Sequence, residues 1–292
     1  MKSQSKAYLY ALMSVLFWST VATAFKLGLQ KLSPLYLILT ASAVSLIIFF
    51  AVIVIQGKIR ELFAVSVSGL GKSALLGALN PFGYYLILFE AYSLLPAQVA
   101  QPLNMVWPIT LALLSALLLK QKITSRNIAA IFISFVGVIF ISSQGSLSGL
   151  ANTNITGALL ALGSSIIWSL FWVLSVLDKR DEIVKLFWNF AFGLIYLLIT
   201  AILFTEFRLP ELNELPAAIY IGFFELGITF ILWMKAMKLS ENNAKTGNLT
   251  FLSPFLSLIF IHFILGETIY MTTFVGLVFI ISGIWFQQKN NT

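Results

Sequence analysis

Apolar stretches of about 20 residues recur from one end of this chain to the other, each long enough to cross a hydrocarbon layer of roughly 30 Å as a helix. Ten can be drawn: Ala7–Leu29, Pro34–Ile55, Lys72–Leu95, Ala97–Leu119, Asn127–Ser143, Ile155–Leu177, Val184–Phe204, Leu215–Lys238, Lys245–Leu265 and Met271–Gln287. In lipid, backbone polar groups must be satisfied within the protein, which leaves helices and closed barrels as spanning structures. Barrel strands would alternate apolar and polar over segments of about ten residues, and no such alternation occurs. Composition agrees: 59% of residues are hydrophobic and 10% charged, against roughly 45–50% and about 25% in soluble domains. Connections between spans are short and leave no room for a soluble domain. The expected fold class is therefore an all-α integral membrane protein of ten transmembrane helices.

The first span could pass for a signal peptide, with Lys2 and Lys6 before it and Ala22-Thr23-Ala24 as a cleavage-like site. Its apolar run continues to Leu29, so it is expected to remain as a helix. The chain has no cysteine, which excludes disulfides and thiolate metal sites. A net charge of +7 suits cytoplasmic loops rich in Lys and Arg better than nucleic-acid binding.

The first span also has a counterpart. Phe17-Trp18-Ser19 matches Ile167-Trp168-Ser169 at an offset of 150, and Ala91-Tyr92-Ser93-Leu94 matches Ala236-Met237-Lys238-Leu239 at 145. Pro108 matches Pro254 and Gly137 matches Gly283, both at 146. Near-constant offsets predict a duplication, with residues 1–145 and 146–292 as five-helix repeats. With the N-terminus inside, 15 Lys and Arg fall on cytoplasmic segments and only Lys31 and Arg208 outside, Lys26 lying within the first helix. The positive-inside rule thus puts both termini in the cytoplasm. An odd helix number per repeat inverts the second relative to the first, the plan of many secondary transporters.

With those repeats in view, the chain resembles the drug/metabolite transporter superfamily, EamA type, over essentially its whole length. The marks are Phe17-Trp18-Ser19, the segment Glu90-Ala91-Tyr92-Ser93-Leu94-Leu95-Pro96-Ala97, Gly266-Glu267, and the glycines Gly137 and Gly283. Asn104-Met105-Val106-Trp107-Pro108 is similar to the Asn-Tyr-Leu-Trp-Pro segment of the YddG branch, departing from it at Met105 and Val106. Lys120-Gln121 stands where the second half has Gly266-Glu267. The branch resemblance implies export of aromatic amino acids and related metabolites across the inner (plasma) membrane.

Polar side chains inside spans need a reason, since a charged one costs about 2.5–3.5 kcal/mol on insertion scales. Glu225 lies near the middle of its span, and its repeat mate at offset 145 is Asn80, followed by Pro81. Matched polar residues in inverted halves point to a central substrate site; the alternative is a bond from Glu225 to a neighbouring helix backbone. Tyr84, one turn beyond Asn80, is expected on the same face. Asn104 and Asn248 occupy near-equivalent turns beside Pro102, Pro108 and Pro254, where missing helix bonds free carbonyls. They read as substrate contacts or as glue between helices. Trp18, Trp168, Trp107 and Trp188 lie within spans rather than at interfaces and could line an aromatic wall or simply pack. Lys26, Glu90 and His262 share one depth near the outer side. They read as an outer gate, with a Lys26–Glu90 pair, or as side chains snorkelling to the interface. Paired small residues, Gly77 with Gly83 and Gly222 with Gly227, allow helices to approach closely.

Gly69-Leu70-Gly71-Lys72-Ser73 fails as a phosphate loop, because Ser66 stands where the first glycine belongs and no strand precedes it. Asn154-Ile155-Thr156 is a sequon that matters only in a secretory pathway. The expected activity is secondary transport of small amphipathic metabolites by alternating access, with no cofactor or metal, a lipid bilayer as surroundings, and a monomeric carrier. Proton coupling, if present, would use Glu225. A membrane enzyme would need clustered His, Asp or Glu, and a channel a ring of repeated polar residues; neither pattern is present.

Overall fold

Uninterrupted runs of Leu, Ile, Phe, Ala and Val dictate helix wherever they occur, because only a helix satisfies every backbone group within its own segment. The computed structural model describes residues 3–118, 125–240, 246 and 248–288. Lys2, Leu119, Lys120, Gln121 and Lys245, named above, lie outside the described residues, as do Lys122 and Lys289 among the cytoplasmic charges. Those described are helical with no strand. In chain order the helices are α1 (Ser3–Leu29), α2 (Pro34–Ile55), α3 (Ile59–Phe63), α4 (Val67–Gly77), α5 (Tyr84–Leu94), α6 (Ala97–Asn104), α7 (Trp107–Leu118) and α8 (Ser125–Ser142). There follow α9 (Leu147–Asn152), α10 (Ile155–Leu177), α11 (Glu182–Phe204), α12 (Leu215–Tyr220), α13 (Thr229–Leu239), α14 (Leu252–Leu265) and α15 (Met271–Gln288). Wide turns at Ala78–Gly83 and Ile221–Ile228 join α4 to α5 and α12 to α13.

Six of the described helical runs are long and apolar enough to cross a membrane: Gln4–Leu29, Pro34–Ile55, Val67–Leu94, Ile155–Ser175, Glu182–Phe204 and Leu215–Leu239. Shorter apolar helices cover Ile128–Ser142, Leu249–Leu265 and Met271–Phe286. The span expected over Ala97–Leu119 is instead two helices, α6 and α7, parted at Met105 and Val106. Pro108 has no N–H to continue the ladder across that gap. Large apolar side chains such as Ile47, Ile55, Phe63 and Phe204 face outward, as a lipid-facing surface requires, while small hydroxyls such as Ser14, Ser19, Ser42 and Ser164 are buried.

The chain divides into two compact units that cut across its sequence halves. The first comprises Met1–Leu86 and Asp178–Phe260, the second Ile87–Leu177 and Ile261–Thr292. In the first, α1 packs along α13, and α11 packs on α2, on α4 and on the wide turn after it. Close approach there depends on Gly77, where a Cβ would press on the Asn189 carbonyl, and on Gly222, where it would stand 2.5 Å from the Ala41 carbonyl. In the second unit α8 and α15 make the main packing pair. The glycines Gly137 and Gly283 both lie at that crossing, where a Cβ on Gly137 would stand 2.6 Å from the Gly276 carbonyl and one on Gly283 would press on Ser134 Oγ.

Ion pairs among the described residues lie at helix ends. Lys58 pairs with Asp181 at 2.5 Å, and Asp181 also caps α11 by accepting from the Ile183 and Val184 N–H groups. Arg180 pairs with Asp178 at 2.5 Å and donates to Ser73 Oγ at 2.8 Å. Burial alone would raise both aspartate pKa values, but Arg180 at Asp178 and Lys58 at Asp181 outweigh it and hold each below the ordinary carboxylate value. In the loop before α12, Arg208 grips Glu214 with two bonds of 2.7 and 2.8 Å, which brings the Glu214 pKa down to about 2.

Candidate substrate site and family membership

Asn80 and Glu225, repeat mates by sequence offset, both fall at interruptions of regular helix within the first unit. Asn80 has extended backbone (φ −148°, ψ 122°), as expected of a residue whose α conformation is disfavoured by the proline that follows. Its side chain is fully buried, and neither its oxygen nor its nitrogen has a hydrogen-bond partner. Glu225 sits in the wide turn Ile221–Ile228, a type of helix widening that is frequent at functional sites. That turn leaves the Gly222 carbonyl to accept from Ser45 Oγ of α2 at 2.8 Å.

The Glu225 carboxylate accepts from the Tyr85 hydroxyl at 2.8 Å through Oε1. The Trp18 indole approaches the same carboxylate, yet Oε2 has no hydrogen-bond partner. Trp18 also packs against Trp233, ring centroids 5.2 Å apart, and Tyr84 against Tyr85 at 4.7 Å. Tyr84, expected on the Asn80 face, is buried, and its neighbour Tyr85 is the tyrosine that reaches Glu225. Tyr85, Trp233 and the buried Asn189 are the residues that sequence reasoning missed. Asn189 also has no partner for either side-chain polar atom. An amide within an apolar span was its one visible signal.

In the second unit several polar groups around the break between α6 and α7 are closed upon one another, although Gln101 Oε1 and Ser134 Oγ have no partner. Asn104, the last residue of α6, donates to Ser164 Oγ at 2.8 Å. The Trp107 carbonyl, at the break before α7, accepts from Ser169 Oγ at 2.8 Å, and Thr110 Oγ1 lies 2.6 Å from the same serine. The broken helix is thus stitched to α10. Trp168 stacks on Phe171 at 6.1 Å and meets Trp172 edge-on at 5.7 Å. The Glu267 carboxylate accepts from the N–H groups of Ala97 and Gln98 at the start of α6, at 2.8 and 3.1 Å. Gln98 in turn donates to the Thr268 carbonyl and accepts from Thr273.

Of the remaining expected residues, Asn248 opens a 3-10 turn (Asn248–Phe251), and its side chain lies outside the described residues. Trp188 donates to the Leu62 carbonyl at 3.0 Å and so ties α11 to α3; its place near the start of α11 explains an anchoring rather than a lining role. Lys26 is half-buried in the first unit, and Glu90 is exposed in the second. His262 is exposed, with Nδ1 3.0 Å from the Glu267 carbonyl oxygen.

The model of the EamA-like transporter family matches residues 5–143 and again 155–287. The chain belongs to that family. This EamA-like transporter is 29% identical to an uncharacterized transporter of Clostridium kluyveri, over 98% of its own length and 94% of the relative. It is 26% identical to the aromatic amino acid exporter YddG of Ancylobacter novellus, over 87% of each chain. An uncharacterized transporter of Archaeoglobus fulgidus is 25% identical over 96% of each. A protein of known crystal structure, 21% identical, superposes with a TM-score of 0.66 over 97% of this chain and 96% of the other, which speaks for the fold alone. Membership makes the chain a multi-pass membrane transporter, with a small-molecule substrate and a lipid bilayer as its surroundings.

Proposed function

We propose that this EamA-like transporter is a secondary carrier that exports small amphipathic metabolites, amino acids including aromatic ones, by alternating access. The observation that carries the reading is the pair of helix interruptions at Asn80 and Glu225, each holding a buried polar side chain with open hydrogen-bonding capacity. Unsatisfied buried groups cost about 1–3 kcal/mol each, and a transported ligand that satisfies them supplies a reason for keeping them. Broken helices near the middle of the bilayer are where carriers place their substrate. The 26% identity to an exporter named for aromatic amino acids supports that substrate class, as do the indole and phenol rings around Glu225.

The carrier is read as ten transmembrane helices in two inverted repeats, residues 1–145 and 146–292, with both termini in the cytoplasm of a cell bounded by this inner membrane. The charge distribution supports that orientation. It acts as a monomer and needs no cofactor. Trp18, Asn80, Tyr84 and Glu225 of the first unit are assigned to the substrate. Asn104, Trp107, Trp168 and Asn248 are assigned to it from sequence pattern, and Lys26, Glu90 and His262 to gating. If transport is coupled to protons, Glu225 is the group that would carry them.

Counterflow of labelled phenylalanine, then of threonine, into liposomes holding purified protein tests this. Saturable phenylalanine counterflow, blocked by excess unlabelled aromatic amino acid and reduced at least about tenfold in Glu225→Gln, is expected; each factor of ten corresponds to about 1.4 kcal/mol. Counterflow of neither amino acid, with the protein shown to be folded, would remove the amino-acid reading.

A further inference from the structure

Glu225 has a specific deficit. One carboxylate oxygen accepts from Tyr85, the other accepts from nothing, and the residue retains 8% exposure. An ionised carboxylate is an acceptor only, so what is missing is a donor. Trp18 touches both this carboxylate and Trp233, and both indoles are half-buried rather than sealed. An open carboxylate oxygen therefore matches a ligand group that is positive and carries several N–H donors. A protonated amine has both properties; a carboxylate has neither.

Resting on the transport reading above, we propose that Glu225 Oε2, with Trp18 and Trp233, is the ammonium-binding subsite of this carrier, and that a protonated amine is the part of the substrate it selects. The amine donates to Oε2, filling the position that Tyr85 leaves open. Trp18 stands beside the same carboxylate, and Trp233 packs against Trp18. Tyr85 orients the carboxylate through Oε1. Selection thus rests on the head group, with the aromatic portion of the ligand contributing contact area and no recognition of its own at this point.

Binding and transport are measured apart so that the two readings can fail separately. Purified protein in detergent is titrated with phenethylamine, which has the amine without the carboxylate, and with 3-phenylpropionate, which has the reverse. Tryptophan fluorescence reports binding. Saturable binding of phenethylamine, at least tenfold tighter than 3-phenylpropionate, is expected. Glu225→Gln should abolish that preference, and Trp18→Phe should weaken phenethylamine more than Trp233→Phe does. Equal binding of both compounds, preference for 3-phenylpropionate, or binding of neither overturns the subsite. The ligand comparison on the unmodified protein stands even if a variant fails to fold. Amine-selective binding without counterflow of phenylalanine or threonine would leave the subsite standing and remove the amino-acid transport reading.

Discussion

In the first unit Asn80 and Asn189 keep every side-chain polar atom unpaired and Glu225 keeps one oxygen open. In the second, Asn104, Thr110 and Ser169 bond to one another's helices across the break between α6 and α7. Both regions interrupt a membrane helix with a proline nearby, and both bury polar groups in an apolar setting. The difference lies in what completes them. Where a neighbouring helix supplies serine hydroxyls, as α10 does, an interruption becomes a structural joint. At Asn80 and at Glu225 Oε2 no partner completes the side chain, as the proposed ligand site requires.

Close helix crossings are common to both units, so the largest structural effects should be alike in them. Gly77→Leu, pressed against the Asn189 backbone, and Gly137→Leu, pressed against that of Gly276, should each destabilise by about 1–3 kcal/mol through overpacking. Thermal unfolding in detergent would show it, and a marked inequality would mean that one unit repacks more readily. Next in size, the joint and the open site should respond oppositely. Ser169→Ala should cost about 1 kcal/mol by removing made hydrogen bonds. Asn80→Leu should be neutral or stabilising, since it removes only unpaired polar atoms, while phenylalanine counterflow falls. If Asn80→Leu lowers the melting temperature as much as Ser169→Ala, the contrast between the regions breaks.

A smaller effect is expected at Glu267, whose charge meets the N-terminus of α6. Glu267→Gln should cost about 0.3–1 kcal/mol, less at high salt, read from the same melting curves. The last concerns pH. Asp178 and Asp181 have folded pKa values below their unfolded ones because of Arg180 and Lys58. Their contribution is therefore fully present above about pH 4, the ordinary aspartate value, and is lost as pH falls through the lowered folded values. Melting temperature should drop below about pH 4, and Lys58→Met should flatten the Asp181 share of that drop. Because both aspartates lie in the first unit, retention of the full drop in Lys58→Met would place the acid sensitivity at Asp178 or elsewhere.

Helix positions were legible because lipid allows so few alternatives. Pro34–Ile55 and Ile155–Leu177 were expected with the bounds that the helices have, and the polar residues worth attention, Asn80 and Glu225, stood out against an apolar background. The pattern could not say which of two adjacent tyrosines would reach Glu225, because that depends on the backbone interruption at Asn80 and not on helical spacing. Nor could it separate Trp18, set against a carboxylate, from Trp188, bonded to the Leu62 carbonyl. Asn104 and Asn80 looked alike as amides beside prolines, and only the packing shows that Asn104 meets Ser164 while the Asn80 side chain meets no partner.

The amino-acid sequence by itself determined the membrane-helical class, the places of the helices and the family, since hydrophobic length and residue motifs are properties of the chain read in order. Tertiary structure alone decided which polar groups are satisfied. Hydrogen bonding requires two partners within about 3 Å, and those partners, such as Tyr85 and Glu225 or Asn104 and Ser164, are brought together by packing from distant parts of the chain.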